Sequence, residues 1–237
     1  MISIIIPAYN EEKALEYTLP KNIEAIKNAD AEIIVVDNNS TDKTSDIAKA
    51  HHDVDVVTES KKGTSAARQA GYKAAKGDIL VFVDADTYIT SEWIEKLQSI
   101  FTKNPKIVAI SGGLFFYDCP EWYRFLYKIV WYILFCAYKI RIVKPFVLGT
   151  SFAVRKETLD SMNGFNIELT FYGDDTDIGL RANEFGKVVF TPRITCSTSA
   201  RRYRQQGLFK TLGAYFINHF SVYWRGRPFH EDSQDYR

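Results

Sequence analysis

Apolar runs recur along the first half of the chain: "ISIIIPA" from Ile2, "AEIIVVD" from Ala31, "VDVVT" from Val54 and "DILVFV" from Asp78. Each is short and rich in β-branched residues, so each predicts a strand. Between them lie segments with helical spacing. "EKALEYTLPKNIEAIKNA" carries Pro20 at a kink or break, and "TDKTSDIAKAHH" is opened by Ser40 or Thr41 as cap. "GTSAARQAGYKAAKG" is closed by Gly77 as a C′ glycine, and "SEWIEKLQSIFTKNP" ends near Pro105. Runs that are apolar throughout mark strands covered on both faces. The expected fold is therefore α/β, a mostly parallel mixed sheet flanked by helices, with ligands at the C-terminal strand ends.

The second half is patterned differently. "KIVAISGGLFF" predicts another strand, and "EWYRFLYKIVWYILFCAYKIRIVKPF" follows with eight aromatics between Trp122 and Tyr138. Its longest charge-free run, Ile129 to Tyr138, is ten residues, where a spanning helix needs about 20. Lysines and arginines flank it, so 122–144 suits a membrane surface, a core contact or a dimer contact. "VLGTSFAVRKETLDSMNGF" reads as a turn, a strand and a helix closed by Gly164. A last amphipathic helix places Leu208, Leu212, Tyr215, Phe216, His219, Phe220 and Tyr223 on one face. No repeat or linker interrupts the chain, so residues 1–237 are expected to form a single domain with halves 1–118 and 119–237.

Charge adds one asymmetry. The net is +1, which excludes a globally basic nucleic-acid binder, yet residues 1–118 carry 13 basic and 18 acidic side chains while 119–237 carry 17 and 11. A positive C-terminal half suits an anionic partner such as a phosphate, and equally a scattered solvated surface. Cys119, Cys136 and Cys196 have no CxxC spacing, and "MISIIIPAYNEE" has no signal-peptide pattern. The expectation is a reduced, cytoplasmic protein, peripheral at the membrane face if 122–144 meets lipid.

Three strand ends carry polar groups: Asn10 with Glu11, Asp37 to Ser40, and Asp84 with Asp86. Residues two apart on a strand point the same way, and like charges that close repel unless a cation or a hydrogen-bond set holds them. A hard divalent cation would accept one or two such carboxylates and take its other oxygens from phosphates. One acidic strand end alone would be an ordinary helix cap; three converging ends make a site.

In order and spacing, "IIPAYNEE", "VVDNNSTDKT" and "SAARQAGYKAAKGDILVFVDAD" resemble the family 2 glycosyltransferases with the GT-A fold, which include polyprenyl-phosphate sugar synthases. The matching positions are Pro7, Tyr9, Asn10 and Glu11; Asp37, Asn38, Ser40, Asp42 and Thr44; Ala67, Arg68, Gln69 and Gly71; and Asp84 with Asp86. Downstream, "GTSFAVRKETLDSMNGF" is similar to the family's acceptor-side segment, with Gly149, Thr150 and Ser151 at its start. "GDDTDIGLR" is similar to its Glu-Asp-x-Asp/Glu-Leu segment, at Asp174, Asp175, Asp177 and Leu180.

The resemblance implies a metal-dependent transfer, with inversion, from a UDP- or GDP-sugar to a glycan hydroxyl or polyprenyl-lipid phosphate. The half 1–118 would bind the nucleotide sugar and 119–237 the acceptor. Asp37 would accept a hydrogen bond from the base, with Pro7, Ala8 and Tyr9 around it, while Glu11 and Arg68 border the base, ribose or diphosphate. Asp84 and Ala85 would lie at the ribose, and Asp86 at Mg2+ or Mn2+, with Asp84 and His219 as further metal candidates. Asp175 would be the general base, its pKa raised by Asp174 and Asp177. Two departures stand out. Asp174 replaces the more usual Glu, which leaves it a second catalytic candidate beside Asp175, and "SARRYRQQG" stands where processive synthases carry Gln-x-x-Arg-Trp. Arg201, Arg202 and Arg204 would there reach the diphosphate or an anionic acceptor. The rival readings are a non-catalytic nucleotide-sugar or membrane-surface module and a sugar-1-phosphate nucleotidyltransferase. The last would want a glycine-rich loop that "PAYNEEKA" lacks.

Overall fold

The computed structural model describes residues 1–140, 147–169, 173–225 and 229. The chain runs through β1 (Ile2–Ala8), α1 (Glu12–Ile26), β2 (Ala31–Asp37), α2 (Thr44–Lys49), β3 (Val54–Thr58), α3 (Thr64–Ala74) and β4 (Ile79–Val83). It continues with β5 (Thr87–Tyr88), α4 (Ser91–Lys103), β6 (Ile107–Phe116), α5 (Glu121–Lys139), β7 (Ser151–Arg155) and α6 (Lys156–Ser161). The last elements are α7 (Asp174–Phe185), β8 (Lys187–Thr198), α8 (Arg201–Gln206) and α9 (Leu208–Arg225).

Among the described residues eight strands form one sheet in the order β3-β2-β1-β4-β7-β6-β8-β5. The first four are parallel, as the apolar runs require. Alternation divides them between two cores. Ile2, Ile4, Ile6, Ile33, Val35, Val81 and Val83 pack with Leu15, Leu19, Trp93 and Leu97 of α1 and α4. Ile5, Ile34, Val36, Leu80 and Phe82 pack on the other face with Ala67, Leu159, Phe165 and Ile178. Because β1 is flanked by β2 on one side and β4 on the other, the order in which strands are added reverses there, and such a switch point opens a crevice at the strand ends. β7 is antiparallel to both β4 and β6. That inversion brings residues 149–151 to the end of β4, where the Asp84 N–H donates to the Thr150 carbonyl at 3.1 Å.

Three local expectations change. α1 runs through Pro20 without a break: the proline faces solvent, and the buried row Leu15, Thr18, Leu19, Asn22, Ala25 and Ile26 holds the helix. α2 begins at Thr44, because Ser40 and Thr41 are used elsewhere: Ser40 Oγ accepts from Asn10 N–H at 3.0 Å and Thr41 N–H donates to Asn10 Oδ1 at 2.8 Å. Gly77 lies beyond the C-cap Ala75. It is a close-approach glycine, since a Cβ there would lie 2.7 Å from the Ser3 backbone nitrogen.

β6 and β8 run parallel, with a register shift between Gly112 and Gly113. A Cβ on Gly112 would lie 1.8 Å from the Ile194 carbonyl oxygen, whereas Gly213 in α9 has nothing within 4 Å of that position. Gly112→Ala should therefore lower the free energy of unfolding by about 3 kcal/mol. Gly213→Ala should raise it by up to about 1 kcal/mol through helix propensity. Urea unfolding of both variants measures the contrast, and equal stabilities would contradict this packing.

Candidate functional site

The loop after β1 is shaped by Asn10 in the left-handed region, φ 52°. Its amide ties it to the loop after β2, and Glu11 N–H donates to Thr44 Oγ1 at 2.8 Å. Asp42 receives the N–H groups of Glu12 and Thr44 at 3.1 and 2.9 Å. Asp37 is buried and accepts from Ser40 N–H at 3.1 Å. Asn38 is a framework residue: its amide donates to the carbonyls of Glu59 and Lys61 at 2.9 and 2.7 Å and accepts from Gly63 N–H at 2.8 Å. Pro7 and Ala8 end β1 next to Asp37 in register. Lys62, which the sequence reading did not single out, reaches the Tyr9 hydroxyl at 3.3 Å and lies 5.1 Å from that ring.

The acidic pair does not behave as a strand pair. β4 ends at Val83, and residues 84–86 turn, closed by Thr87 N–H donating to the Asp84 carbonyl at 2.9 Å. Each carboxylate then meets its own arginine. Asp84 Oδ1 accepts from Arg68 Nη2 at 3.0 Å, and Asp86 Oδ2 lies 3.0 Å from Arg201 Nε. Arg201 also donates to Glu11 Oε1. The Asp86 carbonyl is fixed by the Tyr117 hydroxyl at 3.3 Å and Ser199 N–H at 3.2 Å.

Arg68, expected beside the nucleotide, is only 2% exposed and lies beneath the acids. Besides Asp84 it donates to Asp174 and, at 2.7 Å, to the Gly149 carbonyl. Burial opposes its charge, but the carboxylates of Asp174, Asp84 and Asp175 outweigh this and raise its pKa. Asp84 is pushed up to about 6, first by burial, with Arg68 opposing and the Asp86 charge adding. Solvent still reaches 39% of its side chain, so the burial is one-sided.

α7 opens on Asp174 after Gly173, which is left-handed at φ 89°. Asp175 Oδ2 accepts from Gly149 N–H at 3.1 Å and its Oδ1 from Thr176 N–H at 2.7 Å. Burial, then the neighbouring Asp174 charge, push its pKa up to about 6 against Arg68 and these two N–H groups. Asp177, expected to share in that repulsion, is instead paired with Arg181 at 2.6 Å. Arg181 in turn holds the carbonyls of Met162 and Gly164 at 3.1 and 2.9 Å. Gln69 accepts from Phe165 N–H at 2.8 Å, so the α3 segment and the turn after α6, separate in sequence, form one joint.

The three arginines after β8 diverge. Arg201 faces Asp86, and Arg202 donates to the Tyr215 hydroxyl. Arg204 is held by Asp118 at 2.9 Å. Asp118 also receives Ser199 Oγ–H and Ala200 N–H, both at 2.6 Å. Its signal was faint: it is the one charged residue between Ile107 and Pro120. Ser151 is buried opposite Val83. The side chain of His219 lies outside the described residues. Among those residues no three His, Cys, Asp or Glu side chains gather with metal-ligand geometry, and no helix is long and apolar enough to cross a membrane. α5 packs Tyr123 and Tyr127 on Phe116 and Tyr203 and exposes Trp122, Phe125, Ile129, Tyr132 and Ile133.

Glycosyl transferase family 2 matches residues 3–162. The dolichol-phosphate mannosyltransferase of Pyrococcus furiosus is 34% identical over 179 residues, 70% of this chain and 50% of that protein. The poly(ribitol-phosphate) beta-glucosyltransferase of Bacillus spizizenii is 34% identical over 116 residues, 46% of this chain and 18% of that protein. The chain thus spans half or less of the length of these relatives. Among solved structures, a mannosyltransferase from Pyrobaculum calidifontis in complex with GDP-Man and Mn2+ has a TM-score of 0.73 at 21% identity, covering 98% of this chain and 65% of that one. Glucosyl-3-phosphoglycerate synthase from Mycobacterium tuberculosis, in complex with Mn2+, UDP and phosphoglyceric acid, reaches 0.64 at 21% identity, covering 94% and 77%. At these identities the likeness establishes the GT-A fold. The family match runs from β1 to the end of α6 and takes in the Asn10 loop, Arg68, Asp84 and Asp86, and the chain belongs to glycosyl transferase family 2.

Proposed function

We propose that the protein transfers a sugar, with inversion, from a UDP- or GDP-sugar to a hydroxyl or lipid-phosphate acceptor. The observation that carries this reading is the Arg68 bridge. One buried guanidinium joins Asp84, at the proposed donor side, to Asp174 and the Gly149 carbonyl, at the proposed acceptor side. Two halves of a group-transfer site would thereby be held in register, and such positioning supplies much of the rate.

Asp37 with Pro7, Ala8 and Tyr9 suits a nucleotide base, and Lys62 adds a cation beside Tyr9. Glu11, Ser40 and Asn10 shape the loop between base and diphosphate. The acidic end fits a hard divalent ion: Asp86, with Asp84 beside it, offers carboxylate oxygens, and the diphosphate would complete the set. Mg2+ or Mn2+ bound there would supply positive charge to the leaving diphosphate. Arg201 and Arg202 add cationic charge at the same end, and Thr150 anchors the Asp84 backbone. Asp175 takes the proton from an acceptor hydroxyl. The Gly149 and Thr176 N–H groups aim its carboxylate, and its raised pKa places it near the working range of a base.

The exposed aromatic face of α5 favours a membrane-held acceptor. Such a face with basic margins suits an interfacial helix, and the Pyrococcus relative is named for a dolichol phosphate. An ionised phosphate acceptor would need little help from Asp175.

A panel of UDP- and GDP-sugars with Mg2+ or Mn2+, scored for release of UDP or GDP with and without a polyprenyl phosphate, tests the reading. One donor class should release its nucleoside diphosphate in an acceptor-dependent way, and binding without release would identify a non-catalytic module. Asp175→Asn should lower kcat by about 10²–10⁴-fold with a hydroxyl acceptor. Because the base acts deprotonated, wild-type kcat should rise through pH about 6 and level above it; a flat profile with a hydroxyl acceptor would contradict the assignment. Vesicles with anionic lipid should retain the wild type, and the double change Trp122→Glu, Phe125→Glu should release it in a sedimentation assay.

A further inference from the structure

The Asp86–Glu11 pocket already contains a positive charge belonging to the chain. Arg201 Nε lies 3.0 Å from Asp86 Oδ2, and its Nη2 donates to Glu11 Oε1. The side chains are 17% (Asp86), 8% (Glu11) and 27% (Arg201) exposed. Two carboxylates so far removed from water require a cation nearby. We propose that Arg201 is a resident cation of this pocket, competing with a divalent ion for Asp86 until a nucleoside diphosphate offers the guanidinium a second partner. The inference rests on the reading, given above, that Asp86 takes a divalent ion.

Local structure suits such an exchange. Arg201 is the first residue of α8, a six-residue helix with no buried side chain. The backbone on either side is pinned through Asp118, which holds Ser199, Ala200 and Arg204. The guanidinium can therefore change partner by side-chain rotation while its Cα stays in place. Charge decides the direction. With Arg201 in place the two carboxylates retain one negative charge, a weak attraction for a divalent ion. A diphosphate brings further negative charge and oxygen acceptors that suit a guanidinium. Metal and nucleotide should then bind with positive coupling, each raising the affinity of the other.

Mn2+ binding to the full chain, followed by electron paramagnetic resonance of the unbound ion with and without UDP or GDP, tests this without reference to turnover. Without nucleotide, Arg201→Gln should bind Mn2+ on the order of tenfold more tightly than wild type, the size of one lost charge-assisted hydrogen bond. Arg201→Lys, which keeps the charge, should stay near wild type. With nucleotide the advantage of Arg201→Gln should vanish. Asp86→Asn should weaken Mn2+ binding under both conditions, and thermal unfolding shows whether each variant is folded. If Arg201→Gln binds Mn2+ no more tightly than wild type while Asp86→Asn still loses it, the resident-cation inference is overturned and the metal reading stands. If Asp86→Asn binds Mn2+ like wild type, the metal reading itself is wrong and the inference falls with it.

Discussion

A single buried guanidinium sets the geometry on which the rest of the site depends. Arg68 comes from α3, and its partners lie 16, 81 and 106 residues further along the chain, at Asp84, Gly149 and Asp174. A charge removed this far from water is tolerated only when paired and hydrogen-bonded. Asp84, Asp174 and the Gly149 carbonyl meet that condition together. Each of them therefore has a fixed position relative to the other two. Gly149 passes the constraint on, since its N–H donates to the Asp175 carboxylate.

The same bridge explains why neighbouring acids differ. Asp174 lies against Arg68, whereas Asp175 faces backbone N–H groups and the negative charge of Asp174. The two therefore sit in unlike environments one residue apart. In the same way Asp84 belongs to the inner arginine and Asp86 to the outer one. The inner pair is scaffold, held by the buried Arg68, while in the outer pair Arg201 stands at the start of a pinned helix and can change partner by turning its side chain.

The sheet's first four strands, the helices between them and the three polar strand ends were legible in the sequence, because each depends on a local run such as "ISIIIPA" or "AEIIVVD". What was not legible depends on long-range pairing. The residues "SFAVR" announce a strand but not its direction, and β7's antiparallel insertion decides that Gly149 and Thr150 reach Asp84. Arg68 was singled out by its motif, yet the expectation placed it at the nucleotide, since nothing in "SAARQAG" says that it faces inward to Asp174. Ser40 and Thr41 look like helix caps locally, and only Asn10, some thirty residues earlier in the chain, diverts them. Asp118 and Lys62 lay outside any quoted motif. Their roles arise from contacts to Arg204 and Tyr9 that no spacing encodes.

The charge asymmetry between the halves also changes meaning. An acidic first half and a basic second half suggested an anionic partner from outside. In the fold, Arg201 answers Asp86 and Glu11, and Arg204 answers Asp118, so basic residues of the second half neutralise acids of the first. Part of the excess is therefore internal cement rather than a docking field. Arg68 crosses the other way, from the acidic half to Asp174 of the basic one. The seam is thus stitched in both directions where the proposed donor and acceptor meet. Charge that binds the halves together is unavailable to a ligand unless the ligand replaces a partner. At Asp86 that replacement needs only one side chain to turn. At Arg68 it would require unmaking the site.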